Sequence, residues 1–165
     1  MSEQIHFTAK LPTKRVAADC LFIDRAGRLL VLEAPYKSTW DLPGGMVEKD
    51  ESPRLAARRE VYEEIGLSVE PGALLAVDWV PQTGDFTEIV AFLFDGGVLA
   101  PGDIERIVIQ PAEVSSFRFV TLAEAERLLD AEQFARVAAG FAARELAQTA
   151  YLEAGRAPRS AQPGR

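Results

Sequence analysis

Short apolar segments separated by turn-forming residues predict a β-sheet along most of the chain. The first, Val16–Asp24, has the length of a buried strand, and the turn Arg25–Gly27 would return the chain as the second strand of a hairpin. Further breaks or turns are predicted at Pro43–Gly45, Pro81–Asp85 and Asp95–Gly97. The predicted strands are Val16–Asp24, Arg28–Glu33, Trp40–Leu42, Leu74–Val80, Thr87–Phe94 and Ser116–Val120.

A helix is predicted between two of these strands, from Ser52 and Pro53 to about Ile65. Serine caps helix N-termini, and proline is tolerated at the first helical position. Gly66 suits the C-terminal cap, where a left-handed backbone is common. The residues expected to face the sheet are Leu55, Val61, Tyr62 and Ile65.

Two more helices are predicted towards the end of the chain. Thr121 and Glu124 have the spacing of a capping box, which begins a helix over Thr121–Leu129. In Ala131–Leu152, apolar residues recur at steps of three and four from Phe134 onwards, which predicts one long amphipathic helix.

Length and composition restrict the organisation and partners of the protein. A chain of 165 residues suits one domain, expected over residues 14–154, between a flexible segment at 1–13 and a disordered tail at 155–165. A formal net charge of −7 gives no attraction to nucleic acid duplexes or anionic membranes, so an anionic substrate would need a divalent cation to neutralise it. Cys20 is the single cysteine, and neither a signal peptide nor a membrane-spanning run is visible, so we expect a cytoplasmic protein.

Three glutamates in the first predicted helix carry the clearest chemical signal. Glu60, Glu63 and Glu64 stand at positions i, i+3 and i+4, so their carboxylates share one helix face. Their repulsion favours a bound cation, and Mg²⁺ or Mn²⁺ prefers oxygen ligands of this kind. Arg59 is spaced to pair with Glu63, and the bare backbone of Gly45 precedes the helix. Three glutamates alone, however, are more often a solvated helix face.

The neighbouring residues argue against that alternative, because the segment resembles the signature of the Nudix family. The signature reads G-x5-E-x7-R-E-U-x-E-E-x-G-U, where U is aliphatic, and the chain matches every defined position. Such a match arises by chance about once in 10⁸ to 10⁹ starting points. The matching residues are Gly45, Glu51, Arg59, Glu60, Val61, Glu63, Glu64, Gly66 and Leu67.

The resemblance implies both a fold and an activity. The fold is α/β, with a mixed β-sheet sandwiched between helices and a catalytic loop–helix–loop. The activity is Mg²⁺-dependent hydrolysis of the diphosphate in a nucleoside diphosphate linked to another moiety, in which water attacks phosphorus. The partner is therefore a small nucleotide, either an ADP-ribose-like nucleotide sugar or an (oxidised) nucleoside triphosphate.

Most of the site residues implied by the resemblance lie in the matching segment. Glu60 and Glu64 are the main metal ligands, and Glu63 is a further ligand or the carboxylate that helps to deprotonate water. Arg59 is the orienting residue, and Glu113 has the place of a glutamate that family members recruit from a later loop. The remaining motif residues are the carbonyl ligand Gly45 and the supporting Gly44, Glu51 and Gly66.

Two other classes of function are compatible with the same fold. A nucleotide sensor that binds without cleaving would have a damaged signature, and the signature here is intact. An isoprenoid diphosphate isomerase would need a catalytic cysteine, and Cys20 lies in a predicted buried strand. If a nucleobase is bound, aromatic side chains that would stack on it are Tyr36, Trp79, Phe86 and Phe117.

A homodimer is also expected, because many Nudix enzymes are homodimers. Four alanines, Ala135, Ala139, Ala143 and Ala150, leave sides of the last predicted helix smooth enough for a second subunit. The strands over Leu74–Phe94 are another candidate interface. The alternative is a monomer in which alanine merely favours the helix.

Overall fold

The computed structural model describes residues 7, 9–85 and 87–158 of the chain. Four strands come first along this part of the sequence, and helices then occur among the later strands. The strands are β1 (Arg15–Asp24), β2 (Leu29–Glu33), β3 (Trp40–Asp41), β4 (Gly44–Met46), β5 (Leu74–Val80), β6 (Ile89–Leu99), β7 (Ser116–Val120) and β8 (Ala150–Glu153). The helices are α1 (Pro53–Ile65), α2 (Pro101–Ile104), α3 (Leu122–Leu128) and α4 (Ala131–Leu146).

The strands form one mixed sheet around β1. The order along the sheet is β3-β2-β1-β6-β5-β8, while β4 pairs with β1 and β7 pairs with β2. β1 runs parallel to β6 along its whole length and antiparallel to β4. The predicted hairpin of β1 and β2 is antiparallel, with Ile23 opposite Leu29 beside the turn, and β2 pairs with β7 over five residues.

Alternation along β1 divides the core into two layers, one on each face of the sheet. Ala18, Cys20 and Phe22 pack with the buried side of α1, whereas Leu21 packs in the layer beneath α3 and α4. Helices therefore cover both faces, which confirms the expected α/β sandwich with a mixed sheet. None of the helices in the described ranges is long and apolar enough to span a membrane.

The turn predicted at Asp95–Gly97 is wrong, because β6 continues through these residues. The register with β1 shifts between Leu21 and Phe22, at the level of the two glycines. A Cβ on Gly96 would lie 2.5 Å from a ring carbon of Phe22, and Gly97 has a φ of 88°. Both glycines therefore accommodate a bulge and a close ring contact within the strand, rather than a reversal of the chain.

The helix predicted over Ala131–Leu152 is wrong in its last part. The helix ends at Leu146, Ala147 adopts a left-handed backbone with a φ of 51°, and the chain continues into β8. β8 runs parallel to β5, and the Thr149 hydroxyl donates to the Leu74 carbonyl at 2.8 Å. Pairing with the open edge of β5 thus overrides the helix propensity of the alanine-rich sequence.

The predicted end segments fall partly outside the described residues, which exclude 1–6, 8 and 159–165. Within the predicted tail, the Gly155 N–H donates to the carboxylate of Asp78 at 3.1 Å. Arg156 forms an isolated bridge with Glu153.

Candidate active site

The position of α1 depends on small residues packed against the sheet. The Ser52 hydroxyl caps the helix by accepting from the Leu55 N–H at 3.3 Å, and Gly66 ends it with a φ of 70°, as predicted. The predicted buried face is wrong at Leu55 and Tyr62, which are 54% and 62% exposed. Ala56 and Ala57 are fully buried and allow the helix to approach the sheet closely. The buried residues of the helix are Ala56, Ala57, Val61 and Ile65.

The three glutamates of α1 have different environments. Glu64 points towards the start of β4, where its Oε2 accepts the Gly44 N–H at 2.9 Å. The Glu60 side chain, 16% exposed, lies against the backbone of Gly45. The Glu63 side chain is 47% exposed and is the most solvated of the three. The helix therefore directs two carboxylates under the glycine segment and one towards solvent.

The two glycines are required because their backbone touches acidic side chains. The break predicted at Pro43–Gly45 is instead the start of β4, which pairs with β1. Gly44 has a φ of 150°, and a Cβ there would lie 2.5 Å from Asp19 Oδ1. A Cβ on Gly45 would lie 2.6 Å from Glu60 Cδ. Any side chain at either position would displace a carboxylate, so the signature glycine has a direct steric role.

Arg59 holds three acidic side chains of the motif together. Its Nε and Nη2 donate to the two oxygens of Glu51, each at 2.9 Å. Its Nη1 donates to Glu60 at 2.8 Å and to Glu63 at 3.0 Å, so the predicted pair with Glu63 is present. Nη2 also donates to the Met46 carbonyl at 3.1 Å. These bonds raise the pKa of Arg59 and lower the pKa of Glu51, and they fix the loop before α1 onto the helix.

The carboxylates under the glycines repel one another. Burial raises the pKa of Glu64 to about 8, and the negative charges of Glu60, Asp41 and Asp19 add to the shift, against the Gly44 hydrogen bond. Burial likewise raises the pKa of Glu60, although Arg59 opposes it. A positive charge placed between these groups would relieve the repulsion.

One cavity of about 610 Å³ collects these groups. Glu113, expected to join the site from beyond the motif, lines the same cavity, and its charge acts on Glu60. The positive side chains of the lining are Lys37 and Arg136. The acidic side chains of the lining are Asp19, Asp41, Glu60, Glu63, Glu64, Glu113 and Asp130. The structure thus brings together the glutamates of the motif with Glu113, while their catalytic roles stay predictions.

Three acidic residues of the cavity were missed from the sequence: Asp19, Asp41 and Asp130, the last of which caps α4. Asp19 is 7% exposed in the middle of β1, and burial raises its pKa to about 7, although the guanidinium of Arg136 opposes this. Asp41 follows Trp40 in β3 and is bound by the side chains of Lys37 and Gln133. The available signal was an acidic residue inside an apolar run, because such a charge is buried only with a partner or a function.

The aromatic residues predicted to stack on a nucleobase occupy different places in the structure. Tyr36 lines the cavity and is 71% exposed. Phe117 packs in the core beneath α1, and the Trp79 indole N–H donates to Glu88 at 2.7 Å, so neither belongs to the cavity lining. Phe86 lies outside the described residues.

The donor chemistry of the cavity fits a hard divalent cation. Among the residues that the structure describes, no three acidic, cysteine or histidine side chains converge into a complete ligand set. Mg²⁺ does not require one, since it binds through one or two carboxylates and keeps several waters. The oxygens of Glu60 and Glu64 that do not bind Arg59 or Gly44, with a neighbouring carbonyl, match that requirement.

Comparison with known proteins identifies the family. The model of the NUDIX domain matches residues 13–141. The chain belongs to the Nudix family. Over 128 residues it is 37% identical to a MutT-like protein of Streptomyces ambofaciens, a match that covers 73% of this chain and 78% of that protein. The resemblance drawn from the signature is therefore confirmed, and the protein is a Nudix hydrolase, a family whose members generally use divalent metal ions.

Other similar proteins match different shares of the chain. The crystal structure of a MutT protein from Methanosarcina mazei Go1 superposes with a TM-score of 0.66 at 26% identity, over 83% of this chain and 99% of that one. Diphosphoinositol polyphosphate phosphohydrolase 3-alpha of Mus musculus is 45% identical over 65 residues, which are 39% of this chain and 40% of that protein.

Proposed function

We propose that this Nudix hydrolase cleaves the diphosphate of a nucleoside diphosphate linked to another moiety, with Mg²⁺ as its metal and Mn²⁺ as a substitute. The substrate would be an ADP-ribose-like nucleotide sugar or an (oxidised) nucleoside triphosphate. The observation that carries the proposal is the placement of Glu60 and Glu64 beneath Gly44 and Gly45, inside an acidic cavity. A protein with a net charge of −7 needs a cation there to receive an anionic diphosphate.

In this proposal, Glu60 and Glu64 hold the metal with the carbonyl of Gly45. When bound, Mg²⁺ neutralises the diphosphate, polarises its P–O bonds and lowers the pKa of an attached water. Arg59 keeps Glu60 in place through the 2.8 Å hydrogen bond and prevents it from turning away from the glycines. Glu51 fixes Arg59 in turn, and Gly66 ends the helix behind them.

The proton of the attacking water requires a separate acceptor. Glu63 and Glu113 both line the cavity, and neither is buried under the glycine segment. We assign Glu63 as a further ligand or a helper in water deprotonation, and Glu113 as a second candidate for the same task. A carboxylate that lies in the cavity can accept this proton directly or through one water.

A panel of nucleotide substrates with Mg²⁺ tests the proposal, with released phosphate measured after phosphatase coupling. Replacing either Glu60 or Glu64 by Gln should lower kcat by at least about 10²-fold, a loss of ~2.7 kcal/mol of transition-state stabilisation. Glu145→Gln is a matched control, because Glu145 is exposed on α4. Near-normal turnover in both site variants would refute the metal assignment.

Isomerase chemistry that relies on a cysteine has no support in this structure. Cys20 is fully buried in β1, and burial raises its pKa to about 12. Such a thiol is neutral at physiological pH, and Cys20 does not line the cavity, so it is unsuited to catalysis.

We also propose that the protein works in the cytoplasm as a homodimer. The buried single cysteine suits a reducing compartment. The predicted contact through Ala139 and Ala143 is wrong, because Ala143 is buried and Ala139 packs against the core of its own chain. Leu146 at the end of α4 and Tyr151 in β8, which are 66% and 53% exposed, are a candidate contact instead. Light scattering over a dilution series would decide the assembly, and a mass of 18.0 kDa at every concentration would contradict the dimer.

A further inference from the structure

Three carboxylates surround the glycine segment of the cavity, and one of them lies outside the signature. Glu64 accepts the Gly44 N–H at 2.9 Å, and Glu60 lies against Gly45. Asp19 comes from β1, opposite Gly44 in the strand register, and a Cβ on Gly44 would lie 2.5 Å from its Oδ1. Two residues without side chains therefore let carboxylates from α1 and β1 approach the same short stretch of backbone.

The carboxylate of Asp19 is open on its cavity side. The side chain is 10% exposed, and it lines the cavity of about 610 Å³. Its ion pair with Arg136 Nη2 spans 4.0 Å, and among the residues that the structure describes none donates a hydrogen bond to it. Carboxylate oxygens in protein interiors normally accept hydrogen bonds. Asp19 therefore has acceptor oxygens available to a water molecule inside the cavity.

A second carboxylate shares the guanidinium that faces Asp19. Arg136 Nη1 donates to Asp78 at 2.9 Å, and Asp78 is fully buried in β5. The Gly155 N–H donates to both oxygens of Asp78, at 3.1 and 3.2 Å, and so compensates part of its charge. This group of side chains still has two negative charges and one positive charge. The excess negative charge lies on Asp19, at the cavity, where a cation would balance it.

We propose that Asp19 is a further functional residue of the cation site, and that Arg136 is the positioning residue that holds it. Asp19 accepts a hydrogen bond from a water in the shell of the cation, and its charge strengthens cation binding. Outer carboxylates of this kind orient the groups that bind a metal directly. Arg136, fixed by Asp78, keeps the carboxylate of Asp19 against the glycine segment. The proposal rests on the proposed function, because it requires a cation at Glu60 and Glu64.

Mn²⁺ binding in the absence of nucleotide tests the role of Asp19 separately from turnover. Free Mn²⁺ is measured by electron paramagnetic resonance during titration of the wild type and of Asp19→Asn, which keeps the side-chain size and removes the charge. The dissociation constant should rise at least about tenfold. Asp95→Asn is the matched control, because Asp95 pairs with Arg144 of the same helix at 3.0 Å and does not line the cavity. It should leave the affinity unchanged.

Turnover tests the positioning role of Arg136. Arg136→Met should lower kcat at least about tenfold, and Arg136→Lys, which retains the charge, should recover most of that loss. Adding Asp19→Asn to Arg136→Met should cause little further loss, because both changes remove the same contact. A purely structural arginine would instead give losses that multiply. Arg144→Met, which breaks the pair outside the cavity, should keep a normal kcat.

Three results would overturn the inference. Unchanged Mn²⁺ affinity in Asp19→Asn would do so even if Arg136→Met fails to fold. A normal kcat in Arg136→Met, or losses that multiply in the double variant, would show that Arg136 serves only the core. Unchanged affinity in Asp19→Asn together with weakened binding in Glu60→Gln would remove this inference alone, whereas a wild-type chain that binds no Mn²⁺ would remove the proposed function as well.

Discussion

Replacing Glu64 by Gln should make the metal-free protein more stable at alkaline pH while it lowers activity. In the folded chain, burial raises the Glu64 pKa from 4.5 to about 8, with further contributions from Glu60, Asp41 and Asp19. The folded state therefore binds a proton more tightly than the unfolded state. By linkage, stability falls as pH rises from about 4.5 and becomes constant above about 8.

The size of the effect follows from the same two values. A difference between 4.5 and about 8 corresponds to ~5 kcal/mol at ~1.36 kcal/mol per pKa unit. This is the upper limit for one residue, because Glu60 and Asp19 share the repulsion and relax when Glu64 is neutral. We therefore expect Glu64→Gln to gain roughly 2 to 4 kcal/mol over the wild type at pH 9.

Urea unfolding in EDTA measures this difference. At pH 5 the folded wild-type Glu64 is protonated, so the two proteins should have similar unfolding free energies. The gap should open between pH 5 and pH 9 and close when Mg²⁺ is added, since the cation stabilises the wild type alone. Glu145→Gln should show no pH-dependent gap. A gap that is absent at pH 9, or that favours the wild type there, would refute the electrostatic reasoning.

Three further predictions concern the same site. Gly45→Ala should reduce kcat at least about tenfold, because the new Cβ would lie 2.6 Å from Glu60 Cδ, whereas Gly102→Ala, with open space around it, should not. Arg59→Met should also lose at least about tenfold in kcat, since it releases the motif carboxylates, while Arg58→Met, which removes only a surface pair, should keep normal rates. Steady-state assays with folding checked by circular dichroism decide both. Activity should vanish in excess EDTA, and full activity there would contradict the metal requirement. The apparent affinity for Mg²⁺, measured by titration at constant ionic strength, should rise between pH 6 and pH 9 as carboxylates deprotonate.

Helix α1 was predictable because its signals are local. Ser52, Pro53 and Gly66 define its ends through capping chemistry that acts within a few residues. The spacing of Glu60 and Glu64 then puts both carboxylates on one side of the helix. The signature adds the family, and with it the sheet between helices.

The rest of the site depends on contacts that are distant in sequence. Asp19 joins the cavity because the register of β4 on β1 places it opposite Gly44. Gln133 enters from α4, about 90 residues after Asp41, which it binds. The periodicity within one segment does not show which residues of another segment lie opposite it. For the same reason, the helical pattern of Ala131–Leu152 gave no sign that its last residues would pair with β5.

The short strand β8 determines how the sheet ends. It covers β5, whose apolar sequence would otherwise expose a row of unpaired backbone groups to other chains. As an edge strand, β8 is less able than β5 to pair with another chain, because it has only four residues. Leu152 points inwards, and Tyr151 and Glu153 are exposed. Arg156 folds back onto Glu153 and occupies part of its backbone. β8 therefore limits pairing between this edge of the sheet and other chains, although the composition of its segment favours a helix.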